Sequence, residues 1–394
     1  MQACYPSTPR TISDGDGRRI VRPTPDIRPA WRIPLLMLGL ACLISGAGAG
    51  LFRLGWPVPL LSAQLVALHG PLMVSGFFGT VIALERAVAL GRRWAYLGPL
   101  SSSLGGLALI AGVAPVAVQL LLALGSLILL AASVHVFWRQ RAMFTFTLAL
   151  AAACWCAGNL LWLGGMSVSA VVPWWGGFLV LTIAGERLEL SRFLPPSPAA
   201  QRLFALIVAL LLVGMIWSVR VSRSGDLIFA AALLALALWL LRQDIARRTV
   251  RLSGLTRFIA VCLLSGYGWL AASGAIILGA GGFVPGSFSY DAALHALMLG
   301  FVFSMVFGHA PIIFPAVVRI AVPYHPGFYL PLILLHLSLA VRIGGDLAAL
   351  PAWRSAGGAL NAAALLAFIL GTAGAAGHQA WRAKMRMPGG GEKP

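Results

Sequence analysis

Charge, and above all negative charge, is scarce in this sequence. Only 10% of its 394 residues are charged, and 11 acidic residues face 29 basic ones. A soluble domain carries about 25% charged residues, so the composition excludes an ordinary water-exposed fold. A hydrophobic fraction of 59% and a mean hydropathy of +0.89 indicate instead a protein whose surface is covered by lipid.

A basic stripe of the kind that binds nucleic acid is also absent, although the net charge is +18. All but two of the basic residues are Arg, and they lie singly between apolar segments, without a nucleic-acid-binding motif. We therefore expect the bilayer, and not a nucleic acid, to be the partner of these charges.

The cysteines do not form a disulfide framework. Cys4 lies in the polar N-terminal stretch, and the other four lie within apolar runs. Cys154 and Cys156 are two residues apart, so they face different directions on a helix. We predict that the four apolar cysteines are buried free thiols, with copper binding as the lesser alternative.

Runs of about 20 apolar residues predict an all-α polytopic membrane bundle with twelve transmembrane helices. Residues 1–30 are predicted to form a disordered cytoplasmic tail, residues 31–383 a single transmembrane domain, and residues 384–394 a second disordered tail. The predicted spans are 31–54, 63–90, 94–113, 115–138, 142–165, 170–193, 200–222, 225–248, 254–280, 289–320, 327–350 and 353–383.

The distribution of basic residues predicts the orientation of these spans. With both termini in the cytoplasm, 24 of the 29 basic residues lie on the cytoplasmic side. The exceptions are Arg53, Arg220, Arg223, Arg342 and Arg354. The positive-inside rule therefore favours twelve crossings with N-in and C-in termini.

Two histidines lie inside apolar runs, His69 in the second span and His295 in the tenth. Each is about six residues into a span that starts outside, so both rings are expected about 9 Å below the outer surface. Intramembrane imidazoles must be paired, solvated or bound, and neutral imidazole is a ligand of haem iron. The matched depth and direction favour two axial ligands of one haem, while a hydrogen bond to a backbone carbonyl or a headgroup is the simpler interpretation for either ring alone.

The neighbours of His69 suit a flat cofactor. Helical spacing places Met73, Gly76, Phe77 and Thr80 on its face, and Gly76 removes side-chain bulk. The corresponding residues of the tenth span are Leu299, Val302 and His309, with Gly300 beside them. The same apolar face with local gaps is also what close helix packing needs.

Further down the bundle, His309 and His336 are expected at similar depth. They are candidates for a second metal or haem site, or for a polar contact between neighbouring helices. Pro311 and Pro315 are expected to break the backbone hydrogen bonds of the tenth span.

Acidic residues near the outer surface have simpler interpretations. Asp291 is expected as an exposed carboxylate at a helix start, with orientation of His295 or contact with a propionate-binding Arg as alternatives. Arg342 and Asp346 are spaced as an i,i+4 pair. We predict no proton relay, because no acidic residues form a chain in the middle of the membrane.

The segment His69-Gly70-Pro71-Leu72-Met73 resembles the His-Gly-x-x-Met segment on the second helix of haem–copper oxidase catalytic subunits. That resemblance implies a low-spin haem near the outer face, with His69 and His295 as its ligands. The sixth and seventh spans lack the histidines that bind copper in the oxidases, which argues against dioxygen reduction.

The stretch from His295 to Arg319 and the stretch from Leu332 to Asp346 are similar to segments of the NnrS family. Members of that family are twelve-span bacterial membrane proteins with haem and copper. The resemblance implies a bacterial inner-membrane protein with haem, of the b type, and copper, involved in nitric oxide handling during denitrification. A cofactor-free transporter or channel and a quinol-linked electron-transfer subunit remain alternatives, and the broken Pro311/Pro315 segment would suit a transporter.

Overall fold

The fold is that of a computed structural model, which describes residues 11–13, 19–21, 26–59, 63–191 and 197–386. Most of the predicted N-terminal tail, and the C-terminal tail from residue 387, lie outside these residues. Within the N-terminal tail, two short strands, β1 (Thr11–Ser13) and β2 (Arg19–Val21), pair antiparallel. Asp26 accepts hydrogen bonds from Arg32 and Tyr96, so the packed part of the chain begins before residue 31.

The remainder of the described chain is helical, because an apolar backbone in lipid must satisfy its hydrogen bonds within each segment. The helices are α1 (Arg32–Arg53), α2 (His69–Leu90), α3 (Leu97–Ile110), α4 (Pro115–Arg139), α5 (Met143–Leu163), α6 (Val168–Leu190), α7 (Pro198–Ser218), α8 (Ser222–Gln243), α9 (Ala246–Thr249), α10 (Gly254–Ala280), α11 (Phe288–Val318), α12 (Tyr329–Leu347) and α13 (Pro351–Arg386).

Local sequence sets several of these ends. Pro115 and Pro198 lie in the first turns of α4 and α7, where a missing N–H costs nothing. The hydroxyl of Ser287 caps the backbone N–H of Tyr290 at the start of α11. Gly91 ends α2 in the left-handed region at a φ of 63°, a conformation that glycine adopts without strain.

Eleven helices in the described part of the chain are long and apolar enough to cross a membrane. The predicted third span, 94–113, is the exception. It consists of a 3-10 turn (Arg93–Tyr96) and the 14-residue α3. With 14 residues, α3 is shorter than the helices that qualify as candidate spans, although it is apolar on average.

Two helices contain an irregular segment directly after a candidate histidine. Residues Leu72–Phe78 of α2 and Ala296–Phe303 of α11 are π-helical. Neither Pro311 nor Pro315 can donate a backbone hydrogen bond, yet α11 continues through both prolines to Val318. Arg319, which follows it, is in the left-handed region at a φ of 59°.

The chain divides into two compact units. The first consists of Met1–Ala49, Pro59–Gly165 and Ala316–Arg319 and contains α2 to α5. The second consists of Gly50–Val58, Met166–Pro315 and Ile320–Pro394 and contains α6 to α10, most of α11, and α12 and α13. In the first unit, α3 packs along α2 and α4. In the second unit, α8 packs against both α7 and α10, and α12 packs against α13.

Candidate functional site

His69 begins α2 and is held by a neighbouring helix. Its Nδ1 lies 2.6 Å from the carbonyl oxygen of Gly46 on α1. Because a carbonyl can only accept, Nδ1 carries the proton, and in the neutral ring the lone pair is on Nε2. The side chain therefore makes the carbonyl hydrogen bond that the simpler interpretation predicted, in the tautomer that a metal ligand also needs.

Three residues of the predicted face of α2, which are Met73, Gly76 and Thr80, pack on α1. A methyl group on Gly46 would lie 2.7 Å from Sδ of Met73, and one on Gly39 would lie 3.3 Å from Thr80. At Gly76 an added Cβ would lie 3.1 Å from Cβ of Cys42. Cys42, with Gly106 of α3, closes the gap beside Gly76, which is the close-packing alternative for this face.

The π-helical segment of α2 is tied to α5 by neutral hydrogen bonds. The Ser75 hydroxyl donates to Oδ1 of Asn159 at 3.1 Å and accepts from Nε1 of Trp155 at 3.0 Å. Asn159 in turn donates to the carbonyl of Leu122 at 3.1 Å. All three side chains are fully buried, so this network fixes the irregular segment without any charge.

His295 is held from within its own helix. Its Nδ1 lies 2.8 Å from the carbonyl oxygen of Asp291, one turn earlier, and 3.5 Å from the carboxylate of the same residue. The carbonyl bond again puts the lone pair of the neutral ring on Nε2. His69 and His295 are thus both half-buried, in the same tautomer, and close before a π-helical segment.

Asp291 is half-buried in a charged cluster, which corrects its prediction as an exposed residue. Its Oδ2 accepts from Arg342 at 2.9 Å and lies 3.5 Å from Arg354. Asp346 pairs with Arg354 at 2.8 Å, and the predicted pair of Arg342 with Asp346 is therefore replaced. Two carboxylates and two guanidinium groups balance one another next to His295.

This charged cluster keeps several atoms without a well-aligned hydrogen bond. They are Nε of Arg342, Nε of Arg354 and both carboxylate oxygens of Asp346. Asp346 is fully buried, and Arg342 is nearly so. Buried atoms of this kind normally bind water or a ligand group.

His336 lies on α12 and contacts Trp269 of α10. The indole N–H donates to Nδ1 of His336 at 2.9 Å, and the two rings stack at 6.4 Å. Gly300 of α11 makes room for this indole, because a methyl group there would overlap it. Since Nδ1 accepts, the neutral ring carries its proton on Nε2, which is the wrong tautomer for a metal at that nitrogen.

His309 is buried and lies in a different network. Its Nδ1 donates to the carbonyl of Met305 at 2.8 Å, and its Nε2 accepts from Arg187 at 3.2 Å. Arg187 also donates to Asp244 at 2.8 Å, and Tyr267 donates to the same carboxylate. The predicted partners His309 and His336 thus have separate contacts, and each fits the alternative of a polar contact between helices.

Sequence reasoning missed this charged tetrad of Arg187, Asp244, Tyr267 and His309. Within it, the guanidinium group of Arg187 donates both to the carboxylate of Asp244 and to the imidazole of His309. The available signal was Asp244 itself, an acidic residue directly after an apolar run of α8. Its partner is 57 positions away, a separation that no local spacing rule reaches.

A family model covers most of the chain. The model for a domain of unknown function, DUF8744, matches residues 32–376. The chain belongs to the DUF8744 family. No curated protein matches the sequence.

The DUF8744 match includes both histidine helices, the charged cluster beside His295 and the tetrad. Among the described residues of this DUF8744 member, no three His, Cys, Asp or Glu side chains form a group that could hold a metal ion. Cys42, Cys154, Cys156 and Cys262 are free and buried, as predicted.

Proposed function

We propose that this chain is a bacterial inner-membrane haem protein involved in nitric oxide handling, in which His69 and His295 supply axial ligands. The observation that carries the proposal is the common tautomer of the two rings. In each, a backbone carbonyl binds Nδ1 and the lone pair is on Nε2. The role in nitric oxide chemistry rests on the resemblance to the NnrS family.

The charged cluster beside His295 supports the same proposal. Haem carries two carboxylates, and Arg342 and Arg354 present guanidinium atoms that lack a well-aligned partner. Asp291 joins this cluster to His295, because its carbonyl orients the ring and its carboxylate binds both arginines. When bound, haem would supply an iron that exchanges electrons, and nitric oxide would bind that iron by replacing one of the two histidines.

The transporter alternative loses the observation that favoured it. A transporter site is typically built on discontinuous helices, and α11 is continuous through both prolines. We therefore propose a single function and treat a colourless protein as the outcome that would restore the alternative.

We further propose that the chain crosses the membrane twelve times with both termini on the arginine-rich side. The 3-10 turn and α3 together reach about 29 Å, close to the thickness of the hydrocarbon core of about 30 Å. Their packing along α2 and α4 is consistent with a crossing. Reporter fusions at the two termini test this, since eleven crossings would place them on opposite sides.

Visible spectroscopy of the purified protein tests the haem proposal. We expect a Soret band in the wild type, and its loss or a shift to a high-spin spectrum in H69G and in H295G. Exogenous imidazole should restore the low-spin spectrum of each variant, which a purely structural role would not allow. H378G is the matched control, because His378 is exposed near the end of α13.

Two results would overturn the proposal. One is a wild-type protein that folds and contains no haem after expression with added haem. The other is an unchanged spectrum in both H69G and H295G. Addition of nitric oxide to the reduced protein separates the proposed role from plain electron transfer by whether the Soret band shifts.

A further inference from the structure

One end of the second unit carries six exposed arginines. They are Arg202 at the start of α7 and Arg242, Arg247, Arg248, Arg251 and Arg257 between the end of α8 and the start of α10. The hydrogen bond from Trp239 to the carbonyl of Ala200, at 2.9 Å, shows that the start of α7 lies beside the last turns of α8. The six arginines therefore share one end of these helices, which we call the basic end.

No exposed carboxylate neutralises the basic end within residues 197–260, all of which the structure describes. The acidic residues of this segment are Asp226 and Asp244, and both are buried. Asp244 is already ion-paired with Arg187, and its other oxygen accepts the backbone N–H of Ala246. Glu186 and Glu189 in the last turns of α6 are partly buried.

The connection between α8 and α10 is held against the bundle. The membrane-length helix α8 ends at Gln243, and α10 begins at Gly254, so ten residues join two spans. Within them Ala246 is fully buried, which fixes the short helix α9 in place. Arg247, Arg248 and Arg251 are therefore held where two candidate membrane spans end, and Leu252, 56% exposed, presents an apolar side chain next to them.

We propose that the basic end binds the phosphate groups of anionic phospholipids. A guanidinium group binds phosphate through two parallel hydrogen bonds, and clusters of four to eight basic residues next to a span are typical of anionic lipid binding. The exposed Leu252 reaches the apolar boundary of the same leaflet. This inference does not depend on haem, because none of these residues belongs to the proposed ligand set.

Native mass spectrometry of the full chain, with phosphatidylglycerol or phosphatidylcholine added, measures the preference. We expect the wild type to retain phosphatidylglycerol preferentially at low salt and to lose the preference at high salt. Each arginine near an anionic membrane surface contributes about fivefold in affinity, so R247Q/R248Q should reduce the preference for phosphatidylglycerol more than tenfold. R247K/R248K should keep most of it, because the charge remains.

The matched control is R220Q/R223Q, which removes two exposed arginines from the opposite end of the same helix pair, α7 and α8. It should change the preference much less, because only two arginines lie in that turn. An equal loss in both double variants, or a wild type without any preference, would overturn the proposal. The salt dependence of the wild type keeps the test decisive if R247Q/R248Q does not fold.

Discussion

Helices α2 and α11 each carry a half-buried histidine shortly before a π-helical segment, yet their surroundings differ. Around α2 the contacts are neutral: glycines of α1, the thiol of Cys42, and the hydrogen bonds of Ser75 with Trp155 and Asn159. Around α11 the contacts are charged: Asp291 with two arginines at one end and the His309–Arg187 bond at the other. The same local geometry is therefore stabilised by packing in one unit and by ion pairs in the other.

This difference indicates where each unit is vulnerable. A close-packed neutral interface responds to added volume, because its small residues have no room to spare. A buried ion pair responds to the loss of one member, because the remaining charge stays desolvated. The comparison is tested by substitutions that add volume in each unit and by substitutions that remove one member of an ion pair or hydrogen bond.

The largest effect is expected at the tetrad in the second unit. R187M would leave Asp244, whose side chain is fully buried, without its ion-pair partner. We expect a loss of about 3–5 kcal/mol in the free energy of unfolding, measured by denaturant titration in detergent. The double variant R187M/D244N should recover part of this loss, since no unpaired charge is buried. A loss below about 1 kcal/mol in R187M would contradict the claim that ion pairs stabilise the second unit.

Added volume should distinguish the two π-helical regions next. G79A places a methyl group against Trp155, which is fully buried and hydrogen bonded, whereas G300A places one against the half-buried Trp269. We expect both to be destabilised by about 1–3 kcal/mol, with the larger value for G79A, by thermal unfolding.

G268A is the control for added volume, because the new Cβ would have no atom within 4 Å beyond its chain neighbours and the adjacent backbone of its own helix. It should be neutral or more stable by about 0.5–1 kcal/mol, since alanine favours the helix. A larger loss in G300A than in G79A would contradict the assignment of tighter packing to the first unit.

Removal of the Ser75 hydroxyl tests the neutral network directly. S75A would remove the hydrogen bonds that the indole N–H of Trp155 and the amide oxygen of Asn159 make with the Ser75 hydroxyl. We expect a loss of about 1.5 kcal/mol in the free energy of unfolding and a change in the tryptophan fluorescence. Stability equal to that of the wild type would show that the network contributes nothing to the position of the π-helical segment.

The smallest effect is expected for the neutral contact in the second unit. Ser273 of α10 donates to the carbonyl of Ala293 at 2.9 Å, and S273A would remove this one bond. We expect a loss of about 0.5–1 kcal/mol, since only one acceptor loses a partner. A loss that exceeds that of S75A would indicate that neutral bonds matter as much around α11 as around α2.

The sequence predicted the helical class well because lipid imposes one simple requirement, long apolar segments that satisfy their own backbone. The sequence also predicts a crossing at α3, which stays a prediction because this helix, packed along α2 and α4, has only 14 residues. It also placed Asp291 in solvent, because the two arginines that bury it are 51 and 63 residues away. Helical spacing predicted which residues share the face of His69. It did not predict that α1 packs on that face.

The partners that sequence patterns missed are all long-range. His336 pairs with an indole 67 positions away, and Arg187 with an imidazole 122 positions away. A helical period reports which residues share a face and carries no information about the helix opposite. The histidines could therefore be identified from the sequence, because an imidazole is unfavourable in an apolar run. Their contacts could be identified only from the three-dimensional structure.

Each π-helical turn holds one residue more than an α-helical turn would. Insertion or deletion of a single residue in Leu72–Phe78 would thus rotate everything downstream by about 100°. Thr80 would leave Gly39, and Gly79 would leave Trp155. The number of residues in this stretch therefore sets the rotational register of the rest of the helix. Substitutions preserve that register, and a deletion of one residue would change it.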